Sequence, residues 1–266
     1  MSDTRYVEHT RRGPIDTITL RRPEVHNAFN EQVIAELAAA FEEIRGSRDT
    51  RVVVLAGEGR SFCAGADLEW MQRAAAFTEE ENRRDADVLA AMLRSVAECP
   101  CPVVARVQGS AFGGGAGLTA AADIAIAGES ARFAFTEVRL GIVPATIARH
   151  VIRKIGPGRA LPLFLTGERI DAARALALGL VHRVVPDAEL DQAVSEAVDA
   201  LLVGGPEAQR RVKEVVRRIA PDDAELDAYA AALIAQVRAG DEGREGMAAF
   251  LEKRPARWAV PRDADV

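Results

Sequence analysis

The chain reads VVARVQGSAFGGGAGLTAAAD from Val103 to Asp123, and this stretch combines a strand, a glycine turn and the start of a helix. Its first five residues are β-branched or apolar except for one arginine, which predicts a buried strand. Three glycines, Gly113 to Gly115, then lead into small residues that are compatible with a helix. Glycines at such a junction let a ligand approach the main chain, and the first N–H groups of a helix have no intrahelical partner. The stretch therefore predicts a site at which backbone N–H groups face a negative charge.

An apolar run that ends in a glycine occurs three times, at Val52 to Gly57, Val103 to Gly109 and Ile124 to Gly128. Amphipathic segments with helix-start signals lie between these runs. Asn30 is placed to cap one helix, and Thr78-Glu79-Glu80-Glu81 fits a capping box. Alternating strands and helices indicate an α/β core. The pattern by itself leaves open whether the sheet is doubly wound or a spiral of strand-strand-helix turns.

Two further segments of this core have their own signals. Tyr6 to Arg11 and Ile15 to Leu20 are alternating runs around Gly13-Pro14 and predict a hairpin. The helix that begins at Thr78 is expected to bury one face, formed by Val88, Met92 and Val96.

The chain divides near residue 204. Residues 1–203 predict the α/β core, and residues 204–266 predict a helical region with helices near 206–219, 222–239 and 241–253. In this region an amphipathic face is expected to pack on the chain's own core or on a neighbouring subunit. That face comprises Leu226, Tyr229, Leu233 and Val237.

Composition excludes several functions. The 266 residues carry a net charge of −6, which argues against a nucleic-acid-binding surface. No apolar run approaches the ~20 residues that span a bilayer, and the N-terminus lacks a signal-peptide core. We expect a cytoplasmic protein without a membrane partner. Cys63, Cys99 and Cys101 match no zinc pattern, so we expect no metal site and reduced, structural cysteines.

A dinucleotide fingerprint is the most misleading motif. Gly115 to Ala120 satisfies the glycine pattern, and Glu137 follows Gly117 by 20 residues. In a nicotinamide or flavin enzyme, however, this turn begins directly after the strand. Here about seven residues separate Val107 from Gly115, so we do not favour a dinucleotide enzyme.

A second segment changes the interpretation. Phe62-Cys63-Ala64-Gly65-Ala66-Asp67-Leu68 would by itself be a plain strand-to-helix turn. Together with the triple glycine it resembles the enoyl-CoA hydratase/isomerase (crotonase) superfamily, whose members pair an A-G-A-D-[LI] loop with a G-G-G segment and a following aspartate. The similarity continues in Arg22-Pro23, Asn27-Ala28, Phe133 to Pro144, Leu165 to Glu168, Ala175 to Val184 and Glu245 to Arg254. No single motif is decisive, but their ordered set is specific.

The resemblance implies an α/β spiral of strand-strand-helix turns with a C-terminal helical trimerisation region. It also implies a homotrimer or a dimer of trimers. The substrate would be an acyl-CoA thioester, and no cofactor is expected because coenzyme A is part of the substrate.

The resemblance also implies roles for individual residues. Ala66 and Gly114 match the family's two oxyanion donors, whose N–H groups hold the thioester oxygen. Removing one such donor costs other enzymes roughly 3 to 4 kcal/mol. The positions that match the family's contacts to CoA are Ala28, Ala64, Gly65, Ala66, Asp67, Leu68 and Gly114.

The carboxylates depart from the pattern of the best-known hydratases, which have two glutamates. This chain has Gly117 at the first position and Glu137 at the second. Some isomerases share the single glutamate, as does a bacterial subgroup described as hydratases of enoyl or 3-methylglutaconyl thioesters, which is similar at Phe112 to Leu118 and Glu137 to Ile147. We therefore expect hydration of a 2-enoyl-CoA, branched and carboxylated acyl groups included, with Glu137 as acid and base at a raised pKa. Double-bond isomerisation and non-catalytic acyl-CoA binding are the alternatives.

Charged residues near this motif suggest further contacts. A carboxylated substrate would need a cation, and Arg139, Arg149 and His150 are the candidates. Lys253 and Arg254 are candidates for the CoA phosphates. Asp123 is expected to fix the strand turn through hydrogen bonds.

Overall fold

The structure, a computed structural model, describes residues 5–219 and 224–258, with the side chains of residues 219 and 224–227 excepted. The strands are β1 (Val7–Arg12), β2 (Ile15–Leu20), β3 (Val52–Gly57), β4 (Val103–Val107), β5 (Ser110–Phe112), β6 (Ile124–Gly128), β7 (Arg132–Ala134), β8 (Arg169–Asp171) and β9 (Arg183–Val185). The helices are α1 (Glu31–Gly46), α2 (Leu68–Ala74), α3 (Glu79–Ala97), α4 (Gly114–Ala121), α5 (Ala145–Ile155), α6 (Pro157–Thr166), α7 (Ala172–Leu178), α8 (Leu190–Val203), α9 (Pro206–Ile219), α10 (Ala224–Ala239) and α11 (Asp241–Leu251).

The larger sheet has six strands in the order β1-β2-β3-β4-β6-β9. Strands β1 and β2 form the expected antiparallel hairpin, and every later pair is parallel. The central strands are buried on both faces, since α8 covers one face through Val52, Val104 and Ile126. This burial explains why their sequences are continuous apolar runs.

A second, smaller sheet runs beside the first and consists of β5, β7 and β8. Two isolated parallel bridges continue this second layer. One joins Phe29 to Ala66, and the other joins Cys63 to Ala111. Each turn of chain therefore passes through the large sheet, then through the second layer, and then into a helix. This arrangement confirms the α/β spiral of strand-strand-helix turns.

The short strand β5 corrects one step of the sequence argument. Gly113 follows the end of β5 directly, so the glycines do begin their turn at the end of a strand. That strand pairs with β7 in the second sheet and not with the large sheet. Three-residue strands carry too little periodicity to be recognised in a sequence.

Helix starts agree closely with the sequence. The Asn30 side chain accepts a hydrogen bond from the Val33 N–H at 2.9 Å, and Thr78 and Glu81 form the complete capping box. One residue on α3 was misplaced: Val88 is 52% exposed, whereas Leu89 is buried beside Met92 and Val96. Met92 and Val96 are buried as predicted, and Leu89 takes the place on this face that was assigned to Val88.

Helices α10 and α11 pack on the core, and α10 lies along α3. The predicted face of α10 is wrong in part, because Tyr229 is 64% exposed while Ala231, Ile234 and Ala235 are buried. The side chain of Leu226 lies outside the described residues. Small residues made this face hard to recognise, since alanines contribute little to an apolar pattern.

Two findings concern possible membrane and metal partners. Of the helices in the described part of the chain, none is both long and apolar enough to cross a membrane. Within residues 5–219 and 224–258, no group of three or more His, Cys, Asp or Glu side chains is arranged to hold a metal ion. The three cysteines are free and buried.

Candidate active site

A cavity of about 480 Å³ lies between the loops of the spiral and the C-terminal helices. Its wall contains residues from both predicted halves of the site, Ala64 to Ala66 from one loop and Gly113 and Gly114 from the other. Glu137 lines the same cavity. The fold therefore brings the predicted oxyanion donors and the predicted acid/base into one space.

The backbone at Ala66 presents a free donor to this cavity. Phe29 donates to the Gly65 carbonyl at 2.7 Å and accepts from the Asp67 N–H at 2.8 Å. In such a parallel bridge the N–H of the intervening residue, Ala66, points away from the partner strand. This N–H has no hydrogen-bond partner among the described residues, and Ala66 itself is exposed to the cavity.

The glycines of the second loop allow an equally close approach. Gly113 has a φ of +49°, which favours glycine, and its N–H donates to the Ala134 carbonyl at 2.9 Å. A Cβ on Gly114 would lie 2.7 Å from the Phe29 ring, and one on Gly115 would lie 2.1 Å from the Cys63 carbonyl oxygen. Gly114 is the first residue of α4, so its N–H has no intrahelical partner and is available to a ligand.

Glu137 occupies the start of a short 3-10 helix, Glu137–Leu140, between β7 and α5. Its Oε2 is fully buried and has no hydrogen-bond partner among the described residues, although the residue as a whole is only half-buried. Burial raises the pKa of Glu137 to about 7, against the lowering effects of its own backbone N–H and of Arg238. A Cβ on Gly113 would lie 3.4 Å from Oε1, so the carboxylate adjoins the glycine turn.

The first of the two glutamate positions named from the sequence resemblance, which is Gly117 in this chain, is closed. Gly117 is buried in α4, and a Cβ there would lie 2.5 Å from Ile147 Cγ2. Ile147 belongs to α5 and is 1% exposed. The Ile147 side chain thus fills the space next to Gly117. Glu137 is the one carboxylate among the described residues that line the cavity.

Other residues of the predicted site support the loops without lining the cavity. Asp67 accepts from Arg22 at 2.8 Å and caps α2 through the Glu69 and Trp70 N–H groups. Burial acts to raise the pKa of Asp67, but these hydrogen bonds outweigh it and lower the pKa. Ala28 is buried and Leu68 is 54% exposed, and neither lines the cavity. Their contacts to CoA stay predictions.

The charged residues suggested from sequence are only partly near the cavity. Arg139 and Arg254 line it, whereas Arg149, His150 and Lys253 do not. Buried His150 lines a separate cavity beside α9, so its predicted place was wrong. Asp123 accepts from the Val103 N–H at 2.8 Å, which confirms its role in the strand turn.

Sequence reasoning missed one charged group in the wall of the cavity. Arg238 on α10 lines it and donates to Asp85 on α3 at 2.9 Å. Trp70 on α2 donates to the other oxygen of Asp85 at 3.2 Å. The three residues are far apart in the chain, and no local motif links them.

Comparison with known proteins agrees with this geometry. A family profile described as enoyl-CoA hydratase/isomerase matches residues 10–261. A protein of Clostridium acetobutylicum named short-chain-enoyl-CoA hydratase is 31% identical over 245 residues, which are 91% of this chain and 93% of that protein.

Solved structures are similar over nearly the whole chain. The crystal structure of an enoyl-CoA hydratase from Shewanella pealeana has 37% identity and a TM-score of 0.78, covering 95% of this chain and 96% of that one. The enoyl-CoA hydratase structure from Mycobacterium avium has 32% identity and a TM-score of 0.83, covering 97% and 100%. With both the profile and these relatives spanning more than nine-tenths of its length, the chain belongs to the enoyl-CoA hydratase/isomerase family.

Proposed function

We propose that this protein hydrates 2-enoyl-CoA thioesters, with Ala66 and Gly114 as oxyanion donors and Glu137 as the acid and base. One observation carries the proposal: two backbone N–H groups that have no partner among the described residues, and a buried carboxylate with a pKa of about 7, adjoin the same cavity. The family to which the chain belongs supports this assignment.

The chemistry follows from this arrangement. Glu137, in its ionised form, takes a proton from a water whose oxygen forms a bond to carbon three. The π electrons of the double bond move to the thioester oxygen, where the N–H groups of Ala66 and Gly114 stabilise the enolate. The enolate then collapses, and carbon two takes the proton back from Glu137. A pKa near 7 suits a group that must both accept and return a proton at neutral pH.

The proposed acyl groups include branched and carboxylated chains, such as 3-methylglutaconyl. The cavity volume of about 480 Å³ is in the range of small-molecule sites. Apolar side chains contribute to its wall, Leu89, Ile142 and Ile147 among them. Such a wall fits an alkyl chain or a methyl branch.

Double-bond isomerisation is a second candidate, favoured by the closed space at Gly117. An isomerase needs one carboxylate to move a proton from carbon four to carbon two, and no attacking water. The described lining residues provide that single carboxylate in Glu137.

A direct assay separates these functions. Crotonyl-CoA and a 3-enoyl-CoA are supplied separately, and the absorbance of the conjugated thioester is followed. Loss of absorbance with crotonyl-CoA is expected for hydration, whereas a gain with the 3-enoyl thioester would identify an isomerase. Binding of acyl-CoA without turnover of either substrate would instead indicate a non-catalytic member.

We also propose a homo-oligomer, a trimer or a dimer of trimers. Val212, Val215 and Val216 on α9 are each more than half exposed, and apolar side chains grouped in this way favour subunit contact. Light scattering coupled to size exclusion would measure the assembly. A monomer at micromolar concentration would contradict the proposal.

The proposed reaction uses no cofactor, since coenzyme A enters and leaves as part of the substrate. Dialysis against EDTA is expected to leave turnover unchanged, and recovery on adding a metal would contradict this. A cytoplasmic location is proposed with it, because the free cysteines suit a reducing compartment.

A further inference from the structure

A largely buried cation, Arg238, lines the same cavity as the oxyanion donors. Arg238 and Asp85 side chains are each 12% exposed, and their ion pair joins α10 to α3. The Arg238 guanidinium carbon lies 5.8 Å from the centroid of the Trp70 ring, which is itself buried. The guanidinium is thus held on two sides, by a carboxylate and by an aromatic ring.

Most of the hydrogen-bonding capacity of Arg238 is unused. A guanidinium has five N–H donors, and Asp85 takes one of them, from Nη1. Among the described residues the structure gives Arg238 no further hydrogen-bond partner. Its remaining nitrogens keep some accessible surface, and Arg238 lines the cavity. These donors are therefore open to a ligand within the cavity.

The other cations that line the cavity are less suited to recognising an acyl group. Arg254 is held by both oxygens of Glu245, at 2.7 and 3.0 Å. Arg139 is exposed and donates to the Thr166 carbonyl, and exposed Arg169 lies over the Phe112 ring. Arg238 alone among these four described arginines is largely buried, and the buried apolar residues Ile234 and Leu89 line the same cavity.

We propose that Arg238 is a specificity-determining residue that binds a carboxylate at the far end of the substrate's acyl chain. Planar guanidinium groups hold carboxylates by paired hydrogen bonds, and the surrounding low polarity strengthens each of them. Asp85 and Trp70 are positioning residues that fix the fork of Arg238. This inference rests on the proposed enoyl-CoA site and names its substrate class: thioesters of dicarboxylic enoyl groups.

The test uses two thioesters that differ only at carbon five. One is 2-pentenoyl-CoA, in which carbon five is a methyl group. In the other, carbon five is a carboxylate and the rest of the chain is the same. In Arg238→Met, kcat/KM for the carboxylated substrate is expected to fall on the order of 10- to 100-fold relative to 2-pentenoyl-CoA, because a charge-assisted contact is lost. Arg238→Lys keeps the charge without the fork and is expected to recover part of the difference.

Binding measurements separate this inference from the proposed reaction. Calorimetry with the saturated five-carbon thioesters, with and without the terminal carboxylate, requires no turnover. The unmodified protein is expected to prefer the carboxylated ligand, and Arg238→Met is expected to lose that preference. The preference would remain even if the protein proved to be an isomerase or a non-catalytic binder, so failure of hydration would not be mistaken for failure of this inference.

Two controls decide between recognition and a merely structural ion pair. Asp85→Asn keeps Arg238 but loosens it, so the preference is expected to weaken and not to vanish. Arg139→Gln removes a different lining arginine and is expected to retain the preference. Equal losses on both substrates in Arg238→Met, or an unchanged preference, would overturn the proposal.

Discussion

The two walls of the cavity are built in different ways. One wall consists of backbone N–H groups at Ala66 and Gly114 with Glu137 beside them, and short segments of chain set each position. A second wall consists of side chains from α2, α3 and α10, where Arg238 meets Asp85. The proposed chemistry therefore depends on local backbone geometry, whereas the proposed recognition of the acyl chain depends on contacts between distant segments.

The largest expected effect is on the first wall, from Glu137→Gln. This change preserves shape but removes the acid/base, so kcat with crotonyl-CoA is expected to fall roughly 10²- to 10⁴-fold. The exposed Glu129→Gln is the matched control for loss of a glutamate. Undiminished turnover in Glu137→Gln would show that the carboxylate is not the acid/base.

The pH dependence of the unmodified protein is a second test of Glu137 as the acid/base. Because burial raises the pKa of Glu137 to about 7, its ionised, proton-accepting form increases as the pH rises through that value. A plot of kcat/KM against pH is expected to rise along an acid limb centred near 7. A limb near 4 would contradict a buried, catalytic Glu137.

Ala66→Pro tests the backbone donor on that wall. Proline lacks an N–H, so kcat is expected to fall about 10²- to 10³-fold, as for loss of one oxyanion donor. Ala66→Gly retains the N–H and separates loss of the donor from loss of the methyl group. Thermal unfolding of both variants checks that the loop is intact. Equal rates for the two would remove Ala66 from the oxyanion site.

Gly117→Ala tests whether a side chain can be accommodated at position 117, where the sequence resemblance would place another glutamate. The new Cβ would lie 2.5 Å from Ile147 Cγ2, so the free energy of unfolding is expected to fall by about 1–3 kcal/mol. Gly158→Ala is the control, because no atom lies within 4 Å of a Cβ at that position of α6. Urea unfolding measures both. No loss in Gly117→Ala would mean that α5 can move to admit a side chain.

The smallest expected effect is a shift in the pKa of Glu137, on the first wall, when Arg238 on the second wall is replaced. Arg238 lowers the pKa of Glu137, so Arg238→Met is expected to move the acid limb of kcat/KM for 2-pentenoyl-CoA to higher pH. The other arginines that line the cavity, Arg139 among them, do not contribute to the pKa of Glu137. Arg139→Gln is therefore expected to leave the limb in place. An unmoved limb in Arg238→Met would show that the walls act independently.

Much of the fold was predictable because its signals are local. Asn30, Thr78 and the hairpin at Gly13 act through residues within four positions, and the structure confirms them. The cavity also brings together Ala66, Gly114 and Glu137 as the ordered motifs implied. Their catalytic roles stay predictions until the variants above are measured.

The misplaced faces have a different cause. Val88 and Tyr229 are apolar side chains at helical spacing, yet both are exposed. Periodicity gives the existence of a face, but the rotation of a helix is set by the partner it packs against. The alanines of α10 are buried because α3 lies close, which no local pattern reveals.

Three features could be predicted from the sequence alone, namely the alternation of strands and helices, the glycine turn at Gly113 and the presence of a single glutamate. Each depends on residues that are neighbours in the chain. Only the tertiary structure decided that Ile147 fills the space beside Gly117. It also decided that Arg238, more than a hundred residues from Glu137, lines the same cavity. Such contacts depend on how helices pack in three dimensions, and packing is determined by the whole chain at once.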